Sequence, residues 1–383
     1  MAAVRAGVLK AIESGNEDQI AKLALAYSDS FTANSSVEDF VTTGAYAVTA
    51  LSKEQVVLKA ARDFGGLHSG IAETVNLKLF ADNASALKAM NSGSVDLIAP
   101  QVSLNEPQSD LVTQAQALST KKVTVLAPGS SLSEQFVVNL AIGNLADSTY
   151  KDPKTAQTLR QAFMNIVPKA RAVDFASMTQ TVAKSDSFVY SAGSKNYSAV
   201  VDSNGSANYI LQDSEKSSEL IAGLKFPRKP TLRVLFDSDN PSAVAEWTLL
   251  ADHAATSGFR LSNVSSSDPS QQLALGNYEV YLGPLPLLGV GAGSVQQLVS
   301  GPAHMPQDTF ETLTKDVLSA KAKELGAKLQ SLDKQLFDLG YGVPLYQLPT
   351  LLVYNNRIQG FTADPFGSNS TWGYWTWHVS ADK

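Results

Sequence analysis

The stretch from Thr231 to Leu282 constrains the fold more than any other part of the chain. Leu232–Phe236 is a short apolar run, and Pro241–Ser257 carries Ala243, Ala245, Leu249, Leu250 and Ala254 at helical spacing. Gly258 stops that helix, Phe259–Val264 is the next strand, and Tyr278–Leu282 is a third strand of the same set. A strand, a helix and a second strand in immediate succession place the two strands parallel, with the helix crossing over one face of their sheet. An α/β class follows, and the rest of the chain must be compatible with it.

Helical and strand-like segments alternate elsewhere too. Val4–Ser14 and Glu17–Ser28 read as helices, and the run starting at Gly44 and Gln55–Lys59 as a strand pair turning at Ser52-Lys53-Glu54. Val75–Phe80 is a strand, Ser85–Ser92 a helix stopped by Gly93, and Val95–Ile98 a short buried strand. Val123–Ala127 and Phe136–Ala141 are β-rich runs separated by Pro128-Gly129. Asp152 followed by Pro153 announces a helix over Lys154–Asn165, because an Asp cap and an early proline suit a first helical turn. Ser185–Gly223, rich in Ser, Gly, Asn and Tyr and without a period, reads as a surface loop region. Thr309–Gly340 reads as two helices, and Val343–Tyr346 and Thr350–Tyr354 as closing strands.

The 383 residues suffice for two domains with hydrophobic cores, and the 44% hydrophobic content is that of a globular chain. Thirty basic against 36 acidic residues give a net charge of −6. No Lys/Arg cluster is present to displace counterions from phosphates, so a nucleic-acid partner is not expected. The absence of cysteine removes disulfides, thiolate nucleophiles and thiolate metal sites together. The opening segment is interrupted by Arg5 and Lys10 and reads as an amphipathic helix rather than a signal sequence. The charge-free stretch Val280–His304 is broken by Pro284, Pro286 and Pro302, against a membrane span.

Four stretches, in order, carry a resemblance to a known family. The first is Thr43-Gly44-Ala45-Tyr46-Ala47-Val48 followed by Arg62-Asp63-Phe64-Gly65-Gly66; the second is the helix Ala84–Ser92 leading through Gly93 to Ser94-Val95-Asp96-Leu97-Ile98. The third runs from Phe136-Val137-Val138-Asn139 to Asp152 and Leu159-Arg160-Gln161-Ala162-Phe163. The fourth is Val343–Pro349 with Arg357-Ile358-Gln359-Gly360 after it. Together they resemble the peptide-type solute-binding proteins of family 5, the oligopeptide- and dipeptide-binding relatives.

The resemblance implies an α/β, two-lobed periplasmic-binding-protein-like fold of the class II, cluster C type, N-terminally truncated because relatives are longer ahead of residue 1. Residues 1–137 with 350–383 would form an incomplete proximal lobe and 138–349 a distal lobe. The chain would cross between them near Phe136–Leu140 and Pro349–Tyr354. It implies an extracellular or periplasmic bacterial protein that captures a peptide-like solute between its lobes and hands it to the membrane subunits of an ABC importer. No catalysis and no cofactor are implied, and membrane attachment would come only through a lipid anchor outside this chain. By position, the ligand-binding residues would be Asn139, Tyr281, Gly283, Leu285, Leu287, Tyr346 and Gln347. One departure matters. Where many relatives carry a Trp-rich segment with an Asp that pairs with a peptide's amino terminus, this chain reads Gly283-Pro284-Leu285-Pro286-Leu287-Leu288-Gly289, with neither. A non-peptide solute (a sugar, a metal chelate or an apolar signal) is therefore a second reading, and a non-transport surface sensor of the same fold a third.

Other chemistry-bearing residues have plainer roles. His68, His253, His304 and His378 lack metal-ligand spacing, and only His68 invites a ligand test. Gly289, Gly291 and Gly293 misplace the third glycine of a dinucleotide loop. Asp237 and Asp239 read as turn groups, Arg160 as a brace between its helix and a loop, and Trp372–Trp377 as an aromatic cap on a core.

Overall fold

A computed structural model describes residues 44–66, 72–100, 108–118, 123–127, 130–178, 180–253, 256–290, 294–361 and 373–379, with a few isolated positions besides. The two helices expected before residue 30 lie almost wholly outside the described residues, as does His68.

The described chain opens with an antiparallel meander, β1 (Tyr46–Leu51), β2 (Gln55–Ala60) and β3 (Thr74–Lys78). Helix α1 (Asn83–Asn91) follows, started by Asp82, whose carboxylate accepts from the Ser85 amide at 2.7 Å. Strand β4 (Leu97–Ile98), α2 (Gln108–Gln116) and β5 (Val123–Leu126) then supply a small sheet of order β4-β12-β5, whose middle strand β12 (Leu352–Asn355) arrives from the far end of the sequence. Ala86, Leu87, Met90, Ile98, Leu111, Ala115, Leu351 and Val353 close a core of their own there.

The larger body is built on a six-stranded sheet of order β7-β11-β6-β10-β8-β9. Its strands are β6 (Leu132–Val138), β7 (Ala183–Lys184), β8 (Thr231–Leu235), β9 (Arg260–Asn263), β10 (Val280–Pro286) and β11 (Gly342–Gln347). Strand β8 runs parallel to both β9 and β10, as the β-α-β reading requires; β6 runs antiparallel to β10 and β11. Helices α3 (Pro153–Ile166), α4 (Lys169–Ser177), α5 (Tyr197–Val201), α6 (Ser214–Gly223), α7 (Pro241–Ala251), α8 (Ser270–Leu275), α9 (Gln297–Ser300), α10 (Gln307–Leu318) and α11 (Ala322–Leu339) surround it. The expected starts hold: Asp152 caps α3 ahead of Pro153, and Asn240 caps α7 ahead of Pro241. One continuous core, running from Phe136 through Phe163, Leu232 and Leu282 to Tyr346, fills this body. A hairpin of β13 (Ile358–Gln359) with β14 (His378–Val379) ends the described chain. The C-terminal aromatics, expected to cap a core, instead form a short 3-10 turn outside the hydrophobic cores. Their rings meet other rings, Tyr374 edge-on to Tyr46 at 5.5 Å and Trp377 against Phe361 at 5.8 Å.

Two further expectations need correction. Ser185–Gly223 is not a surface loop: it holds α5 and α6, and Ser185, Ser187, Phe188, Val189, Val200 and Asn204 are buried. Several of its polar groups are satisfied internally. Ser187 Oγ accepts from the Val189 and Tyr190 amides, and Asn204 donates to Asp186 O and to Asp333 Oδ2. Polar composition here therefore encodes buried hydrogen bonding rather than exposure. Strand β6, expected to start at Phe136, starts four residues earlier at Leu132. The missed residues, Ser133, Glu134 and Gln135, are polar yet at most 2% exposed. The chain passes from one sheet to the other between Leu126 of β5 and Leu132 of β6, and returns between Gln347 of β11 and Leu352 of β12; residue 137 lies inside β6.

Candidate functional site

In an open α/β sheet the carboxyl ends of parallel strands face outward where ligands bind. Here the carboxyl ends of β8, β9 and β10 lie at the same edge as the two linking segments. Leu285 and Gln347 both oppose Ser133, while Tyr346 opposes Glu134 and Gly283 opposes Gln135. The Leu287 amide donates to Ser131 O at 2.7 Å, and Gln347 Nε2 donates to Ser130 O at 3.0 Å. Five of the seven expected residues, Gly283, Leu285, Leu287, Tyr346 and Gln347, thus converge on the root of the first link. Gln108 of α2 adds a tie from the other body, donating to Thr350 O at 3.2 Å and accepting from the Thr181 amide at 3.2 Å.

The remaining two sit differently. Tyr281 opposes Val137, further along the sheet, but its ring lies forward over Gly283. Any Cβ at position 283 would overlap that ring, so the glycine is what allows the tyrosine to reach toward the linked end. Asn139 follows the other end of β6, six residues and roughly 20 Å from Ser133. It is fully buried there, donating to Gly276 O at 3.0 Å and accepting from the Ala141 amide at 2.9 Å. That asparagine fastens two loops together. Arg160 is likewise a brace: it donates to Leu339 O, Leu145 O and Asp147, each at 2.8 Å. Asp237 accepts from the Asp239 amide at 2.9 Å, a turn bond as expected.

The residues missed by sequence reasoning are Glu134 and Glu246. Each is 1% exposed, and no ion pair to either occurs among the described residues. Tyr346 donates its hydroxyl to Glu246 Oε1 at 2.5 Å. Burial pushes the Glu246 carboxyl up to about 8, although the bond from Tyr346 favours the ionised form. Burial, then the charge of Glu246, holds Glu134 well above the usual range. The Tyr281 hydroxyl is raised by burial and then by Glu134 and Asp237. The one signal available beforehand was an acid-bearing polar triplet directly abutting an apolar strand, Ser133-Glu134-Gln135 before Phe136.

A second buried ionic group lies deeper. Lys169 meets Asp186 at 2.7 Å and also donates to Ser185 O, and burial depresses its ammonium to about 8. Asp333, raised to about 6 by burial, accepts from the Phe188 amide and from Asn204. Among the described residues, no cluster of three or more His, Asp or Glu could hold a metal, and no helix is long and apolar enough to cross a membrane.

Two separately cored α/β bodies joined by paired links define the two-lobed class of solute receptors. The chain belongs to the bacterial extracellular solute-binding proteins, family 5, whose middle-region model matches residues 6–285. Solved structures share the fold. One is a periplasmic EDTA-binding protein, EppA (TM-score 0.65, 20% identity, covering 88% of this chain and 64% of that one). Another is the oligopeptide-binding protein AppA from Bacillus subtilis in complex with a nonapeptide (0.59, 11%, 88% and 66%). A third is NikZ from Campylobacter jejuni in complex with Ni(L-His) (0.57, 17%, 87% and 67%). This chain therefore spans about two thirds of the length of the structures it matches. No curated protein matches it in sequence.

Proposed function

We propose that this chain encloses a small solute between its two bodies and presents the closed form to the membrane subunits of a bacterial ABC importer. The observation carrying this reading is the convergence of Gly283, Leu285, Leu287, Tyr346 and Gln347 where both links enter the six-stranded sheet. A solute touching both bodies stabilises their closed arrangement, so recognition is a population shift and needs no catalytic group. The proposed lobes meet at 127–131 and 348–351, with the protein lying outside the cytoplasmic membrane and lipid-anchored in its full-length form.

A peptide-like solute is the first candidate, held through backbone hydrogen bonds beside an apolar wall of Leu285 and Leu287. A non-peptide solute is favoured by a specific feature: Pro284–Gly289 offers no carboxylate for a peptide's ammonium group. The EDTA-binding protein and the Ni(L-His) complex of similar fold make a chelate a reasonable form of it. Native mass spectrometry of protein purified without denaturation tests both. A ladder of co-purifying peptides supports the first and a single small mass the second. A chain that carries no solute and gains none from peptide or chelate mixtures counts against solute capture altogether.

A further inference from the structure

Two buried carboxyl groups, one on the six-stranded sheet and one on the helix beside it, are left over by everything above. Glu134, on β6, points to the face shared with its cross-strand partner Tyr346, because opposed residues of a strand pair project to the same side. Glu246 reaches that face from the middle of α7, and Tyr346 Oη joins it at 2.5 Å. Of the four carboxyl oxygens, two are buried without any hydrogen-bond partner, and they belong one to each residue: Glu134 Oε1 and Glu246 Oε2. A buried acceptor left unpaired is costly, and more so when charged, and Glu134 feels the charge of Glu246, so the two call for a shared donor.

No hydrogen bond from the surrounding groups reaches either of these oxygens, and no neighbouring cation among the described residues is free to pair with them. From β11 comes Tyr346, already donating to Glu246; from α7, Ser242, beside Tyr346. From β10 come Pro284, which has no N–H, and Tyr281, whose hydroxyl feels Glu134 and, from the turn after β8, Asp237. The cations on neighbouring elements are engaged elsewhere: Lys169 of α4 and Lys184 of β7 with Asp186, and Arg171 of α4 with His253. Asp174, the remaining ionisable group of α4, is an exposed carboxylate and can only add negative charge. A proton held between the two carboxyls satisfies both lone oxygens in one step.

We propose that Glu134 and Glu246 share a single proton, Glu246 Oε2–H donating to Glu134 Oε1, and that this pair is a pH-sensitive pin at the root of both links. Its location gives the pin its consequence. Glu134 lies three residues after Ser131, where the first link ends, and Tyr346 lies two residues before Leu348, where the second begins. With the proton in place, β6, β11 and α7 are bonded through one chain, Tyr346 to Glu246 to Glu134. When hydroxide removes it, two like charges face each other in the core, and the sheet loosens where the links enter. The device operates whichever solute is bound, and stands apart from the functional reading above.

The sign follows from linkage. A carboxyl raised in the folded state contributes stability that is complete below its unfolded value, near 4.5, and is lost as pH rises through the folded value, about 8 for Glu246. Melting curves between pH 6 and 8 test it, below the range where deprotonation of Lys169 begins to dominate. The wild type is expected to lose about 3 °C per pH unit relative to E246Q and to E134Q, whose amides cannot ionise. Infrared spectroscopy of the wild type should show a protonated-carboxyl band at pH 7 that disappears above pH 9 and is absent from both variants. Coincident slopes in the three proteins overturn the proposal, as does a wild-type spectrum without the band. The infrared titration needs only the wild-type chain, so the question remains decidable where a substitution prevents folding.

Discussion

Arg160 shows how one side chain can hold several segments. Its guanidinium spans α3, the carbonyl of Leu339 at the end of α11, and Leu145 and Asp147 in the turns before α3, and it is 1% exposed. Gly340, at φ 81°, lets the chain turn beside it, where any Cβ would meet the Arg160 side chain. Asp147 is 46% exposed, so the ion pair itself is screened and the two carbonyl bonds matter more. Arg160→Ala is expected to cost about 2–4 kcal/mol of unfolding free energy in urea denaturation, by leaving buried carbonyls unpaired. Arg160→Lys should recover only part of it, because an ammonium lacks the planar fork. Gly283→Ala, which drives a methyl into the Tyr281 ring, is expected to cost about 1–3 kcal/mol. If position 283 matters to the solute as proposed, the same change also weakens binding in calorimetry.

At the scale of elements, the sequence was most legible where local chemistry and tertiary need coincide. The Asp152-Pro153 start of α3, the Pro241 start of α7 and the parallel strands on either side of α7 were all readable. They follow from side chains that act on their own backbone within a turn. Strand β6 and the segment 185–223 were misread for the opposite reason. Glu134 looks like a surface residue until Tyr346 and Glu246, more than a hundred positions away, are placed beside it, and Asn204 looks like a loop residue until Asp333 is. Polar residues buried through long-range partners carry no local period. The same limit explains the candidate site. The expected residues on β10 and β11 lie beside the start of β6, whereas Asn139 lies just past its other end.

The buried carboxylate at the start of that network makes an element-level prediction. Asp333 is raised from 3.8 to about 6, so its contribution to stability is fullest below pH 3.8 and is lost as pH rises through 6. The stability difference between wild type and Asp333→Asn should therefore narrow as pH climbs from 4 to 6 and stay level above. Circular-dichroism melts in that range check it. Amides of Phe188 and Val189 should exchange faster in the variant, since the Phe188 amide donates directly to the replaced carboxylate.

Across the whole molecule, two cores meet through two links and the tie made by Gln108. If those links work as a hinge, small-angle scattering should show a smaller radius of gyration when a bound solute is restored than after it is stripped by partial unfolding. Gln108→Ala, which removes the tie to Thr350 and Thr181, should widen the solute-free distribution while leaving the melting temperature of the larger core within about 2 °C.

The order of strands in the larger sheet also governs how this protein comes into being. Strand β6 lies between β10 and β11, and the second of these is not synthesised until about two hundred residues after β6 has appeared. The central strand must therefore find its last neighbour across about two hundred residues of intervening chain, a slow, non-local pairing. Until that pairing forms, the Ser133-Glu134-Gln135 run is wet, charged and unattractive to other strands. A polar sequence at the heart of the sheet is, by its chemistry, a poor template for wrong pairing until both native neighbours are in place.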